Sequence, residues 1–189
     1  MYNIYKFIII ILWGIFGSYW LYYWVGNKDD AYKQKSTTRM LVWFTLAVIF
    51  LSGYLPLPVN NILDIKLLNK TNLSGTTGDL VCCIGTIISI WSRKILGTNW
   101  SSVVTLKQDH ELVESGPYKY IRHPIYTGMI LGLIGTTIVI GNLKALIIIV
   151  VIIAGLIKKI FDEEKLLTAN LTEYSDYKKR TKRLVPFVY

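Results

Sequence analysis

Cysteine and histidine are nearly missing from this chain, and acid is scarce. The two cysteines, Cys82 and Cys83, are adjacent inside an apolar run. On a helix they point in different directions, so they read as free small hydrophobes, neither a disulfide framework nor half of a zinc site. With His110 and His123 the only histidines, no cluster at metal-ligand spacing exists and no metal is expected. Acids number 12 against 21 Lys and Arg, a net charge of +9. That excess does not indicate nucleic acid, because the cations flank apolar runs and no nucleic-acid motif accompanies them. Topology and contact with anionic lipid head groups account for them instead. Internal repeats and low-complexity linkers are absent too, so a single integrated unit is expected.

Apolar residues fill the space those absences leave. Hydrophobic residues make up 52% of the chain and the mean hydropathy is +0.41, too apolar for an ordinary soluble domain. Phe7 to Val25 carries no charge over 19 residues, enough to cross a hydrocarbon core of roughly 30 Å. Tyr19, Trp20, Tyr22, Tyr23 and Trp24 crowd its end like an interfacial belt. It is long and aromatic for a signal peptide, without a small-x-small cleavage site, and reads as a retained transmembrane helix.

Further spans are expected at Met40 to Leu55, stopped by Pro56 and Pro58, at Gly78 to Leu96, at Pro124 to Ile140 and at Leu143 to Ile157. Asn60 to Thr77 reads as a loop or surface helix, and Gly97 to Arg122 as a long polar connection. Ile160, Glu163, Glu164 and Leu167 keep helical spacing, so the fifth helix should continue out of the membrane. Tyr174 to Arg183 is a basic tail with helical character. With the N-terminus outside, five spans place 17 of the 21 Lys and Arg on the cytoplasmic side, leaving Lys6, Lys66, Lys70 and Lys144 outside. The positive-inside rule therefore favours an all-α polytopic membrane protein, N-out and C-in. Residues 1–77 form its first two helices and loops, and 78–189 the rest.

The segment Gly116 to Gly128 is polar and aromatic and runs directly into an apolar helix. Pro124 biases His123 away from helical angles, so His123 reads as N-cap and Pro124 as the first helical residue. The positive end of that helix then sits beside Arg122 and His123, a site suited to an anionic group. Gly128 and Gly132 lie one turn apart; taken alone they fit Gly-x-x-x-Gly helix packing better than close approach of a ligand. Taken alone, Glu163 and Glu164 read as an exposed helix face paired with Lys159 at i−4.

Three motifs in order change that balance: Gly116-Pro117-Tyr118-x-Tyr120-x-Arg122-His123-Pro124-x-Tyr126-x-Gly128, Glu163-Glu164-x-x-Leu167, and Tyr174-x-x-Tyr177-Lys178-Lys179-Arg180 with Pro186-Phe187 after it. Together they resemble the isoprenylcysteine carboxyl methyltransferase family, itself similar to membrane phospholipid methyltransferases. The resemblance covers roughly 78–189, while 1–77 match only as hydrophobic helices. It implies S-adenosyl-L-methionine as cofactor, bound by His123, Pro124, Tyr126, Gly128, Glu163 and Glu164, in a cytoplasmic-side site built by the fourth and fifth helices and the tail. Arg122, Glu163 and Arg180 are the implied catalytic residues, with Arg180 on the lipid-substrate side. The implied partner is a lipid or prenylated substrate entering from the bilayer.

The chain departs from the eukaryotic members in having five spans instead of more, and one residue fewer between the Glu pair and Tyr174. An isoprenylcysteine-type carboxylate wants an arginine, whereas a phospholipid amine must lose a proton and wants a carboxylate nearby. Arg122 and Arg180 favour the carboxylate. A similar Arg-His-Pro-x-Tyr-x-Gly occurs in NADPH-dependent steroid and sterol reductases, but there an acidic residue typically follows the glycine, and here it is Met129. A non-enzymatic membrane scaffold that keeps the fold is the remaining alternative.

Overall fold

The computed structural model describes residues 2–24, 65–100 and 112–188, together with the backbone of 30–33 and 105–107. The expected second span, Met40 to Leu55, and His110 lie outside the described residues. The elements are α1 (Asn3–Trp24), β1 (Asp30–Lys33), α2 (Asn72–Leu96), β2 (Thr105–Lys107), α3 (Pro124–Ile140), α4 (Leu143–Asn170) and α5 (Tyr174–Arg180), with 3-10 turns at Gly97–Asn99 and Gly116–Lys119. Among the described residues, 3–23 and 72–99 are helices long and apolar enough by themselves to cross a membrane; Pro124–Ile140 is apolar but shorter.

Helix α2 starts six residues before the expected span. Thr71 is its N-cap: the Thr71 hydroxyl accepts from Ser74 N at 3.1 Å, and the Ser74 hydroxyl accepts from Thr71 N at 3.0 Å. This is a capping box with serine in the place usually held by Glu or Gln, so its signature is faint in sequence. Gly97, at φ 57°, ends the helix.

Small residues bring α2 and α3 into backbone contact. Gly78 meets Gly135 and Val139, Gly85 meets Gly128 and Gly132, and the Ser89 hydroxyl donates to Ile125 O at 3.2 Å. In lipid, where apolar side chains gain nothing by mutual burial, such close approach holds helices together. Helix α1 lies over the pair: Tyr2 OH donates to Val139 O at 2.9 Å and Trp13 Nε1 to Thr136 Oγ1 at 3.0 Å, around a small core of Ile9, Cys82 and Val139.

At one end of the bundle, Gly141 takes a left-handed conformation at φ 69° and Asn142 caps α4 through Ala145 N at 2.9 Å. Residues 65–68 seal this end, with Leu67 N donating to Gly141 O and Leu143 N to Ile65 O. Helix α4 has 28 residues, about 42 Å at 1.5 Å per residue, longer than a hydrocarbon core. Its second half therefore carries past the apolar stretch, as the periodicity predicts. At the other end α1 and α2 terminate together: Arg93 Nη2 donates to Tyr23 O at 3.2 Å and its guanidinium stacks over Trp100.

The fold is not wholly helical. β1 and β2 pair antiparallel, Asp30 with Lys107, Tyr32 with Leu106 and Lys33 with Thr105, inside two stretches expected as irregular loops. Strands of three and four residues carry too little alternation to be read locally. They pair because the helices before them end side by side.

Candidate functional site

The site is the meeting of three chain segments at the start of α3. His123 is the N-cap and Pro124 the first helical residue, as the proline requires. The motif's backbone is zipped to the C-terminal tail: Arg122 N donates to Lys182 O at 2.8 Å, His123 N to Arg183 O at 3.0 Å, and Lys182 N to Tyr120 O at 3.1 Å. Thr127 Oγ1 adds a bond to Leu184 O at 2.7 Å, and Tyr177 OH one to Tyr118 O at 2.7 Å. Burial pushes the Tyr177 phenol up, and the Glu114 charge adds to it, so the hydroxyl stays protonated and able to donate.

Two carboxylates from α4 divide this site. Glu164 is engaged through both oxygens: Arg122 Nε donates to Oε1 at 2.8 Å and Arg183 Nε to Oε2 at 3.1 Å, with Lys178 Nζ at 3.9 Å. The Arg122 guanidinium also donates to the carbonyls of Lys178 and Thr181, so α4, the motif and the tail share one buried ionic knot. Burial alone would raise the Glu164 carboxyl, but His123 and Arg122 reverse this and hold it at about 2. Arg122 dominates the reversal, because its contact is a true hydrogen bond while His123 Nε2 stands 3.5 Å from Oε1 and makes none.

Glu163 is more open, its side chain 19% exposed against 4% for Glu164. Its Oε1 accepts from Tyr126 OH at 2.7 Å and lies 3.7 Å from Lys159 Nζ, while Oε2 is 3.7 Å from His123 Nδ1. The His123 and Tyr126 rings stack with centroids 5.6 Å apart. This half of the site offers a carboxylate for a cationic or hydroxyl group, a phenol, and a buried imidazole nitrogen, Nε2, with no hydrogen-bond partner.

Arg122, His123, Pro124, Tyr126, Glu163 and Glu164 are thus brought together. The two glutamates are not an exposed face; Lys159 does pair with Glu163 at i−4, but inside the protein. Gly128 faces α2, where a Cβ would meet the Ser89 hydroxyl and the Gly85 carbonyl. Arg180 stands apart at the surface, 59% exposed and paired with Glu114 at 2.7 Å. Sequence reasoning missed Thr127, Thr181 and Arg183, whose place in the site depends on the tail's backbone pairing and leaves no periodic signal.

A helical membrane fold with this knot of motif, glutamate pair and tail matches a known class. Over 84% of this chain and 55% of the other, it superposes on the solved structure of the eukaryotic intramembrane Ras methyltransferase, with a TM-score of 0.52 and 23% sequence identity. Residues 79–169 match the model of the isoprenylcysteine carboxyl methyltransferase family, and the resemblance carried by the three motifs is thereby shown. The chain is similar to the protein-S-isoprenylcysteine O-methyltransferase of Mus musculus, 30% identical over 145 residues that cover 75% of this chain and 51% of the mouse protein. It is similar also to that of Saccharomyces cerevisiae, 30% identical over 132 residues, covering 66% of this chain and 55% of the yeast protein. The chain spans about half the length of the curated relatives it matches.

Proposed function

We propose that this protein is an integral membrane methyltransferase that uses S-adenosyl-L-methionine to methylate a lipid-like carboxylate of the isoprenylcysteine type. The observation that carries the reading is the convergence of His123, Tyr126 and Glu163 at the start of α3, in a chain whose relatives bear the methyltransferase name. The donor set fits the cofactor. Glu163 suits an ammonium or ribose hydroxyls, Tyr126 suits stacking on a base, and the unpartnered His123 Nε2 suits a further polar atom. Pro124 keeps the first amides of α3 turned toward the same space.

S-adenosyl-L-methionine supplies a methyl group on a sulfonium; its transfer forms an oxygen–carbon bond as the carbon–sulfur bond breaks toward sulfur, leaving a neutral ester and a neutral thioether with no proton to move. Catalysis then rests on positioning and on keeping water away. Arg122 and Glu164 serve that end by fixing the tail against the motif. Gly128 contributes through the α2 contact that seats α3, and Arg180, exposed beside the tail, is placed to meet an acceptor at the rim.

Calorimetric binding of S-adenosylhomocysteine and of NADPH to the detergent-purified full chain tests the reading. Binding of S-adenosylhomocysteine alone, weakened at least about tenfold by His123→Ala and by Glu163→Ala, is the expected result. NADPH binding, or binding of neither, would sink it in favour of the reductase or the scaffold.

A further inference from the structure

A carboxylate acceptor arriving from the bilayer loses its charge in the proposed reaction. It needs a cation that holds it beforehand and lets the ester go afterwards. The arginines favoured by the sequence do not offer one at the glutamates: Arg122 is committed to Glu164 and two tail carbonyls, Arg183 also lies on Glu164, and Arg180 is outside on Glu114. The cation that borders Tyr126 and Glu163 is Lys159. It is buried, at 8% exposure, while its neighbour Lys158 is exposed.

Three features of Lys159 bear on its role. It sits one turn before Glu163 on α4, about 6 Å nearer the apolar half of the helix, so it lies between the carboxylate and the bilayer. Its Nζ is 3.7 Å from Glu163 Oε1 and 5.4 Å from the centre of the Tyr126 ring. That contact with Glu163 is loose, since a charge-assisted hydrogen bond runs to about 2.7–2.9 Å, and Oε1 already takes the shorter bond from Tyr126. A buried ammonium in such a contact is ready to exchange one carboxylate for another.

We propose that Lys159 recognises the acceptor's carboxylate, and that Glu163 holds it in reserve while the site is empty; this rests on the methyltransferase reading above. A ligand ammonium and Lys159 compete for the same carboxylate, so cofactor binding at Glu163 frees Lys159 toward the bilayer side. The acceptor then binds more tightly to the loaded protein, and by linkage the cofactor more tightly in the presence of acceptor. Once the ester is neutral, Lys159 returns to Glu163 and the product loses its anchor. An amine acceptor meets a like charge at the same place, which assigns the substrate class as a carboxylate.

The test is binding of N-acetyl-S-farnesylcysteine and of its carboxamide to the full chain in detergent, with and without saturating S-adenosylhomocysteine. Wild type is expected to prefer the acid over the amide by at least about tenfold, and to bind the acid at least about fivefold more tightly when loaded. Lys159→Met should bring acid and amide within about twofold of each other while leaving S-adenosylhomocysteine bound at least as tightly, and Lys159→Arg should keep the preference. Lys159→Gln gives the same readout should the methionine variant not fold. An acid preference that survives Lys159→Met or Lys159→Gln, or that wild type lacks, overturns the proposal alone; so does a tenfold loss of S-adenosylhomocysteine binding in those variants. Failure of wild type to bind S-adenosylhomocysteine overturns the methyltransferase reading and this proposal with it.

Discussion

Arg122 Nε lies 2.8 Å from Glu164 Oε1, and both side chains are more than nine-tenths buried. The same guanidinium holds the carbonyls of Lys178 and Thr181, so one residue of the motif ties α4 to the tail. Glu164→Ala leaves that guanidinium buried without its counter-ion, a loss of about 3 kcal/mol. Thermal melts in detergent should show it as a drop of several degrees, and the paired change Arg122→Met with Glu164→Met should recover much of it. A Glu164→Ala protein as stable as wild type would mean that this pair does not hold the tail.

The same pair sets an acid limit. The Glu164 carboxyl lies at about 2, below its ordinary 4.5. A lowered folded-state value gives stability that is complete above 4.5 and lost as pH falls from 4.5 toward 2. Hydrogen exchange in the tail, followed between pH 6 and 3, should therefore accelerate in that window beyond its intrinsic pH dependence. In Glu164→Gln the curve should be flatter and start from a less stable protein.

Close helix contact makes its own prediction. A methyl at Gly135 meets Gly78 O and Cys82 N, and one at Gly128 meets the Ser89 hydroxyl and Gly85 O. Backbone cannot move aside cheaply, so Gly128→Ala and Gly135→Ala should each cost about 1–3 kcal/mol. Gly14→Ala and Gly17→Ala, with nothing within 4 Å, are the controls and should be neutral or slightly stabilising. Equal melting temperatures for both sets would contradict the α2–α3 packing.

Thr127 Oγ1 donates to Leu184 O at 2.7 Å, a side-chain tether on the tail's far end. Thr127→Val removes one hydrogen bond, worth about 1 kcal/mol, and should speed limited proteolysis after Arg183 about fivefold. By contrast, Lys179→Ala breaks only an exposed pair with Asp176 and should leave the rate unchanged, because surface pairs contribute little. Equal rates for all three proteins would argue that the tail is held elsewhere.

Orientation is testable at the two ends of α4. In a Cys82→Ala, Cys83→Ala background, a cysteine placed at Lys144 should react with an impermeant thiol reagent added outside. One placed at Lys178 should react only after the membrane is opened. The reverse pattern would invert the topology that the distribution of Lys and Arg predicts.

Sequence alone determined the helices whose ends carry strong local chemistry. Pro124 after His123 set the start of α3, Gly141-Asn142 set its end, and the spacing of Ile160, Glu163, Glu164 and Leu167 carried α4 beyond its apolar half. It also put Arg122, His123, Tyr126, Glu163 and Glu164 in one candidate site, through ordered motifs whose residue types suit one chemistry. Local rules missed the first turns of α2, because serine stood in for the usual capping glutamate.

Only the tertiary structure decided how those residues share the work. Which glutamate is locked by arginines and which stays open depends on the tail's backbone pairing with residues 120–123, a contact between segments some sixty residues apart. The burial of Lys159, the surface position of Arg180 and the pairing of β1 with β2 are set in the same way, by which chain ends the packed helices bring together. Periodicity reports which face of a helix is apolar; it does not report what another segment lays against it.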